Sequence, residues 1–264
     1  MSRIRNLGGI VCGLFIWSSA LSTKELTAEE LAAENSIEKE PIAEQSIEEQ
    51  SKVNTAISKF EKTLKQKESQ FDDNGDWKDV DWIKKKLAHM VEIDQLMRME
   101  SMSTADKGFS DSEAKEYKEK FQVFYKEIDE ANTRDMKRII EIHGWPVISK
   151  FGKEAENHAW LIVQHADHDI DFQKSVLALL EKLLPKKETN PSSYAYLYDR
   201  VASSYFDPSK RALQKYGTQG ACKGENSWEP LPMIEPEKVD ERRASVGLTP
   251  MKEYLPLVNA LCSN

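Results

Sequence analysis

Four of the five histidines in this 264-residue chain fall between His143 and His168. Imidazole titrates near neutral pH and binds metals, so such a cluster can carry proton transfer or hold an ion. His158, Leu161, His165 and His168 follow spacings of three, four and three, which place three imidazoles on one face of a helix. Ala159, Trp160, Leu161, Ile162 and Val163 are apolar at every azimuth of that helix, predicted over residues 153–167. A helix apolar all round is a buried one, and buried polar side chains need partners. His143 closes a preceding helix, 133–143, whose inward residues are Met136, Ile139 and Ile140. Gly144 and Pro146 end that helix.

Partners are available. In the predicted helix 79–99, Val80, Ile83, Leu87, Met90, Asp94 and Met97 follow a three–four repeat. Asp94 therefore sits on the apolar stripe, with Arg98 one turn later. Three chemistries fit these residues. A divalent transition metal could be held by His143, His165 and His168 with Asp94 or Asp167, although no H-E-x-x-H spacing is present. Metal-free acid–base chemistry could use His143 or His165 oriented by Asp94 or Asp167. In that reading Arg98, Arg200 and Arg242 would hold an anionic group, with Gln95, Trp145, Trp160, Gln164, Tyr216 and Gln219 lining the ligand. The third chemistry is none: a paired polar network that specifies a helical core, in a binding or interaction module. No G-x-S-x-G elbow names a nucleophile.

The elements that must position these groups are helical. Ser110 to Glu113 reads as a capping box before Ala114, Tyr117, Phe121, Phe124, Ile128 and Ala131. Further helices are predicted over 172–184, stopped by Pro185, over 194–205, over 237–246, and after Thr249-Pro250. Residues 206–235 read as a long irregular loop. No segment demands a strand. The fold class is all-α, an irregular multi-helix globular domain over 77–264.

Ahead of it, residues 1–22 read as a signal peptide. Arg3 and Arg5 precede a short apolar run from Leu7 to Trp17, with small residues at Ala20 and Ser22. Left uncleaved, the run would be a membrane anchor. Residues 23–76 read as an acidic spacer with a short helix: nine glutamates face two lysines over 23–50. Thr27 to Glu30 forms another capping box, Pro41 breaks the segment, and 71–76 is a turn. Residues 51–264 carry 36 acids and 33 bases, with no basic stripe, so nucleic acid is not an expected partner. The expected partner is a small molecule or a protein, in a periplasmic or secreted setting. Cys222 and Cys262, the pair that would remain after cleavage, suit a disulfide there.

The ordered set Asp94-Gln95 with Arg98, His143-Gly-Trp-Pro146, Ala159 to Ile162 with Gln164 to Asp167, Phe172-Gln173, Asp199-Arg200, Tyr216 to Gln219, and Arg242-Arg243 with Gly247-Leu248 resembles an uncharacterised bacterial family. That family is classed as a domain of unknown function. The resemblance spans roughly residues 77–257 and implies domain limits but no activity. The stretch Ala221 to Asn226, with Cys222, departs from the family pattern.

Overall fold

The computed structural model describes residues 42–103, 107–204, 209 and 211–262. The expected signal segment, the Thr27–Glu30 box and the Pro41 break lie outside them. Eight α-helices occur among the described residues: α1 Ile42–Glu68, α2 Val80–Met102, α3 Asp111–His143, α4 Ile148–Gln164, α5 Ile170–Leu183, α6 Pro191–Ser203, α7 Val239–Ser245 and α8 Met251–Asn259. Among the described residues the molecule is all-α but for one small hairpin.

Helix α4 is the hub and packs on α2, α3, α5 and α6. Its turn from Ala159 to Val163 is buried on every side, as an apolar turn must be. Helix α2 begins at Asp79, whose carboxylate accepts from the backbone of Asp81 and Trp82. The Ser110–Glu113 capping box starts α3 as expected. That helix then runs unbroken to His143, where two helices meeting near residue 132 were expected. No Gly or Pro lies between Asp111 and His143, so nothing interrupts the backbone ladder. Gly144, at a φ of 72°, ends it.

Two further expectations are corrected. The spacer is expected to run through residue 76, with Val53, Ala56, Ile57, Phe60 and Leu64 at helical spacing; that helix is present in α1, but its Val53, Phe60 and Leu64 are core residues and not part of a spacer. They pack with Met97, Tyr117, Phe121 and Ile128. The packed body thus begins within α1, because that face repeats at helical spacing and finds an apolar partner on α3. Within the expected irregular loop, β1 Gly220–Gly224 pairs antiparallel with β2 Ser227–Pro230. Side-chain packing, not a strand pattern, holds this hairpin. A Cβ on Gly220 would lie 2.2 Å from the Trp228 ring.

The hairpin is fixed to α8. Cys222 and Cys262 form the expected disulfide, with Cα atoms 5.5 Å apart. The Asn226 amide donates to the Cys262 carbonyl at 2.9 Å, and the Trp228 amide to Asn259 Oδ1 at 2.8 Å. Trp228, Tyr254 and Val258 form a small core beneath the bridge. The crosslink closes a separation of 40 residues. Replacing both cysteines with alanine should lower the unfolding free energy by up to about 4 kcal/mol, read from denaturant midpoints. An unchanged midpoint would mean that the C-terminal unit melts independently of the rest.

Candidate functional site

The centre of the molecule is a chain of polar side chains where α2, α3 and α4 meet. Asp94 is fully buried on α2. Its carboxylate accepts from His165 Nδ1 at 2.9 and 3.0 Å, from Arg98 Nε at 2.9 Å and from Gln95 Nε2 at 2.7 Å. Arg98 Nη2 also donates to Asp129 Oδ1 on α3 at 2.6 Å. The order is therefore His165, Asp94, Arg98, Asp129.

Burial by itself would raise Asp94, but His165 and Arg98 beside it hold it at about 2. Burial pushes the His165 imidazole below its ordinary value, and the Arg98 charge adds to this against the pull of Asp94. His165 is thus neutral near pH 7. With a carboxylate at Nδ1, its one proton sits there and the Nε2 lone pair is left for other work. Asp129 moves in the opposite direction from Asp94. Burial, with the Asp94 and Asp167 charges behind it, raises Asp129 to about 7 despite Arg98 and Arg200. Two carboxylates whose titrations are displaced in opposite directions through one shared guanidinium are found at catalytic sites and in structural ion-pair networks alike.

A second polar knot lies beside the first. Arg200 of α6 forks onto Asp167: Nε reaches Oδ1 at 2.8 Å and Nη2 bonds Oδ2. Its Nη1 reaches Gln219 Oε1 at 3.2 Å. Gln173 of α5 donates to Asp167 Oδ1 at 3.2 Å and to the Val163 and Gln164 carbonyls. Asp199 folds the 214–219 segment around itself. It accepts from the amides of Lys215, Tyr216 and Thr218 and from Thr218 Oγ1.

The residues singled out by sequence divide accordingly. Asp94, Gln95, Arg98 and His165 come together, and Asp167, Arg200 and Gln219 form the adjoining knot. Gln164, immediately before His165, is fully buried. His143 does not join. Its Nε2–H donates to the Trp77 carbonyl at 2.8 Å, and its ring packs edge-on against Phe151. His168 is exposed, because α4 ends at Gln164 and the chain turns to Asp169, which caps α5. The helix was expected to continue to 167, and its early end takes His168 off the shared face. Among the described residues no three His, Cys, Asp or Glu side chains converge as metal ligands. The His143, His165 and His168 set is corrected on that geometry.

Others serve the fold. Trp145 Nε1 donates to the buried Glu156 at 3.3 Å, and Thr189 Oγ1 donates to the same oxygen at 2.5 Å. Tyr216 offers its backbone to Asp199 and to Arg243. Arg242 clamps the carbonyls of Lys215, Ile234 and Glu235. Arg98, Arg200 and Arg242 are thus engaged by carboxylates or carbonyls of the chain itself, which removes the ground for an anion clamp. Trp160 is buried with its Nε1 unpartnered, edge-on to Tyr196.

Sequence reasoning missed Asp129. It adjoins Ile128 on α3, and the only available signal was an acid bordering the apolar stripe. It also missed Asn132 and Thr133, three and four residues on, whose Nδ2 and Oγ1 are buried without partners.

Gln164 has neither amide end paired, although it is fully buried. A closed structural network would not carry that cost, about 1–3 kcal/mol for each unsatisfied group. Gln164→Met, of similar length, should therefore raise the unfolding free energy by about 1–3 kcal/mol in urea titrations. A loss of stability would show that the amide is satisfied in solution and belongs to the fold.

No curated protein and no solved structure matches the chain. Residues 81–262 match a family model described as "Family of unknown function (DUF6624)". The match begins at the start of α2 and takes in the whole polar centre and the disulfide-bonded C-terminal unit. It covers most of the sequence, and the chain belongs to this family.

Proposed function

We propose that the domain hydrolyses a small polar substrate by metal-free acid–base catalysis. The observation that carries this is the His165–Asp94 pair, joined through Arg98 to an Asp129 that titrates near neutrality. His165 Nε2 takes a proton from water as the water oxygen attacks the substrate. Protonated Asp129 gives its proton to the departing group. Asp94, itself held by Gln95, fixes the ring and does not change protonation. Asp94 engages only Nδ1 of the ring, and water at Nε2 is taken as the nucleophile.

The sign of the pH dependence follows from the two groups. His165 is a base only when neutral, and burial lowers its titration, so activity rises on the acid side below the ordinary histidine range. Asp129 is an acid only when protonated, so activity falls as pH passes about 7. A panel of activated esters, phosphodiesters and glycosides supplies the assay. His165→Gln should reduce kcat/KM by roughly 10²–10⁴-fold with the fold retained. Asp129→Asn should remove the alkaline limb of the profile. Wild-type turnover no faster than that of the His165→Gln variant on every substrate would exclude the reading. The binding or interaction module with a structural polar core would then stand.

We also propose that the protein acts outside the cytoplasm. The basic and apolar residues before Thr23, together with the Cys222–Cys262 bridge, support this. The natural protein should then begin at Thr23 by N-terminal sequencing, and a chain still starting at Met1 would contradict cleavage.

A further inference from the structure

Charge balance at the polar centre points to the class of ligand it takes. Among the described residues the centre holds three carboxylates, Asp94, Asp129 and Asp167, and two guanidiniums, Arg98 and Arg200. The other ionisable groups are His165, buried beside Asp94, and Tyr125, whose ring lies 5.3 Å from the Arg98 guanidinium and whose phenol is raised by burial. Any further acid brought near would deepen the imbalance. The centre is therefore one positive charge short when all three acids are ionised.

The three carboxylates are not equally served. Asp94 is held by His165, Arg98 and Gln95, and Asp167 by Arg200 and Gln173. Asp129 receives one hydrogen bond, from Arg98 to Oδ1. Its side chain is 17% exposed, so Oδ2 can be reached from outside. A second observation marks the same helix face. Asn132 and Thr133 lie three and four residues beyond Asp129 and are nine-tenths or more buried. Asn132 Nδ2 and Thr133 Oγ1 have no partner. An amide N–H needs an acceptor, and a hydroxyl can take or give a hydrogen bond.

We infer that the ligand is a small amine: a protonated ammonium group paired with Asp129 Oδ2, and beside it a carbonyl or hydroxyl facing Asn132 and Thr133. This rests on reading the polar centre as a ligand site, and it adds the substrate class. Asp129 pairs with the ammonium as a carboxylate, so on an amine ligand it is a binding group, and the ammonium it holds takes its place as proton donor to the departing group. Anionic ligands are disfavoured, since each guanidinium already faces a carboxylate.

Three matched probes test this: glycinamide, glycolamide and glycolate, as cation, neutral and anion of nearly one size. Binding to the whole protein is read near pH 7 from the ¹H–¹³C resonances of His165 and the carboxyl resonance of Asp129. Glycinamide should bind at least about tenfold more tightly than glycolamide, with glycolate weakest. Its binding should release protons, seen as a buffer-dependent enthalpy. Asp129→Asn should abolish the preference, and Asp129→Glu should retain part of it, with circular dichroism confirming that both fold.

Equal or tighter binding of glycolamide or glycolate would overturn the inference, as would an undiminished preference in Asp129→Asn. So would the absence of any shift with all three probes at their solubility limits. A divalent cation that displaced glycinamide and moved the Asp129 resonance more strongly would also overturn it. None of these readouts uses turnover. The charge preference can therefore fail while hydrolysis by His165 stands, and hydrolysis can fail while the preference stands.

Discussion

Asp94 is a carboxylate with no exposure to water, set on the apolar stripe of a central helix. Left unpaired, an ion in that position would cost several kcal/mol. Its need for partners organises the middle of the molecule. Arg98 must stand one turn away on α2, and the end of α4 must bring His165 against both carboxylate oxygens. Arg98 then has donors left over and reaches α3 at Asp129. One buried charge thus ties three helices together, and the tie has a fixed order that apolar packing alone would not specify.

The end of α4 is the second constraint. If the helix continued past Gln164, His168 would share the face of His165 and the metal reading would gain a ligand. Instead the chain turns, and Asp169 starts α5 by accepting the Phe172 amide at 3.0 Å. The turn also frees Asp167 from the helix, so that it meets Arg200 of α6 and Gln173 of α5. One backbone event therefore removes a histidine from the centre and supplies a carboxylate to the knot beside it. Local capping chemistry sets which side chains can meet.

The sequence was informative where a residue type conflicted with its surroundings. Asp94 on an apolar stripe and His165 in an apolar helix are such conflicts, and both belong to the site. The helices, the α3 capping box and the disulfide were legible for similar reasons: periodicity, a local motif and a pair of cysteines. The metal set was misread because spacing along a helix says nothing about where the helix stops. Arg242 was misread because a guanidinium that clamps backbone carbonyls has the same sequence appearance as one that awaits a ligand. Asp129 was missed because acids bordering a core face are common on long helices. Its significance depends on Arg98, 31 residues away in sequence. The hairpin lacks alternation and packs through Trp228 against α8, a contact that no strand pattern in the sequence announces.

The two arginines at the centre make the same kind of contact yet leave different outcomes. Arg200 forks onto Asp167 with both oxygens engaged, and Gln173 and Gln219 complete the set. That arrangement joins α5, α6 and the 214–219 segment much as a paired network would, although Gln173 Oε1 is buried without a partner. Arg98 divides itself between two carboxylates. Asp94 is completed by His165 and Gln95, and Asp129 is not completed. The resulting asymmetry places unspent hydrogen-bonding capacity on the α3 side: one Asp129 oxygen, the Asn132 amide and the Thr133 hydroxyl. The imidazole whose tautomer Asp94 fixes belongs to the same chain of contacts. A core built only for stability would gain by filling those positions with apolar side chains, since unsatisfied buried polar groups are costly and hydrophobic replacements often are not. Their presence together, beside an acid that burial pushes up to about 7, sets the α3 side of the centre apart and is what supports the proposed chemistry there.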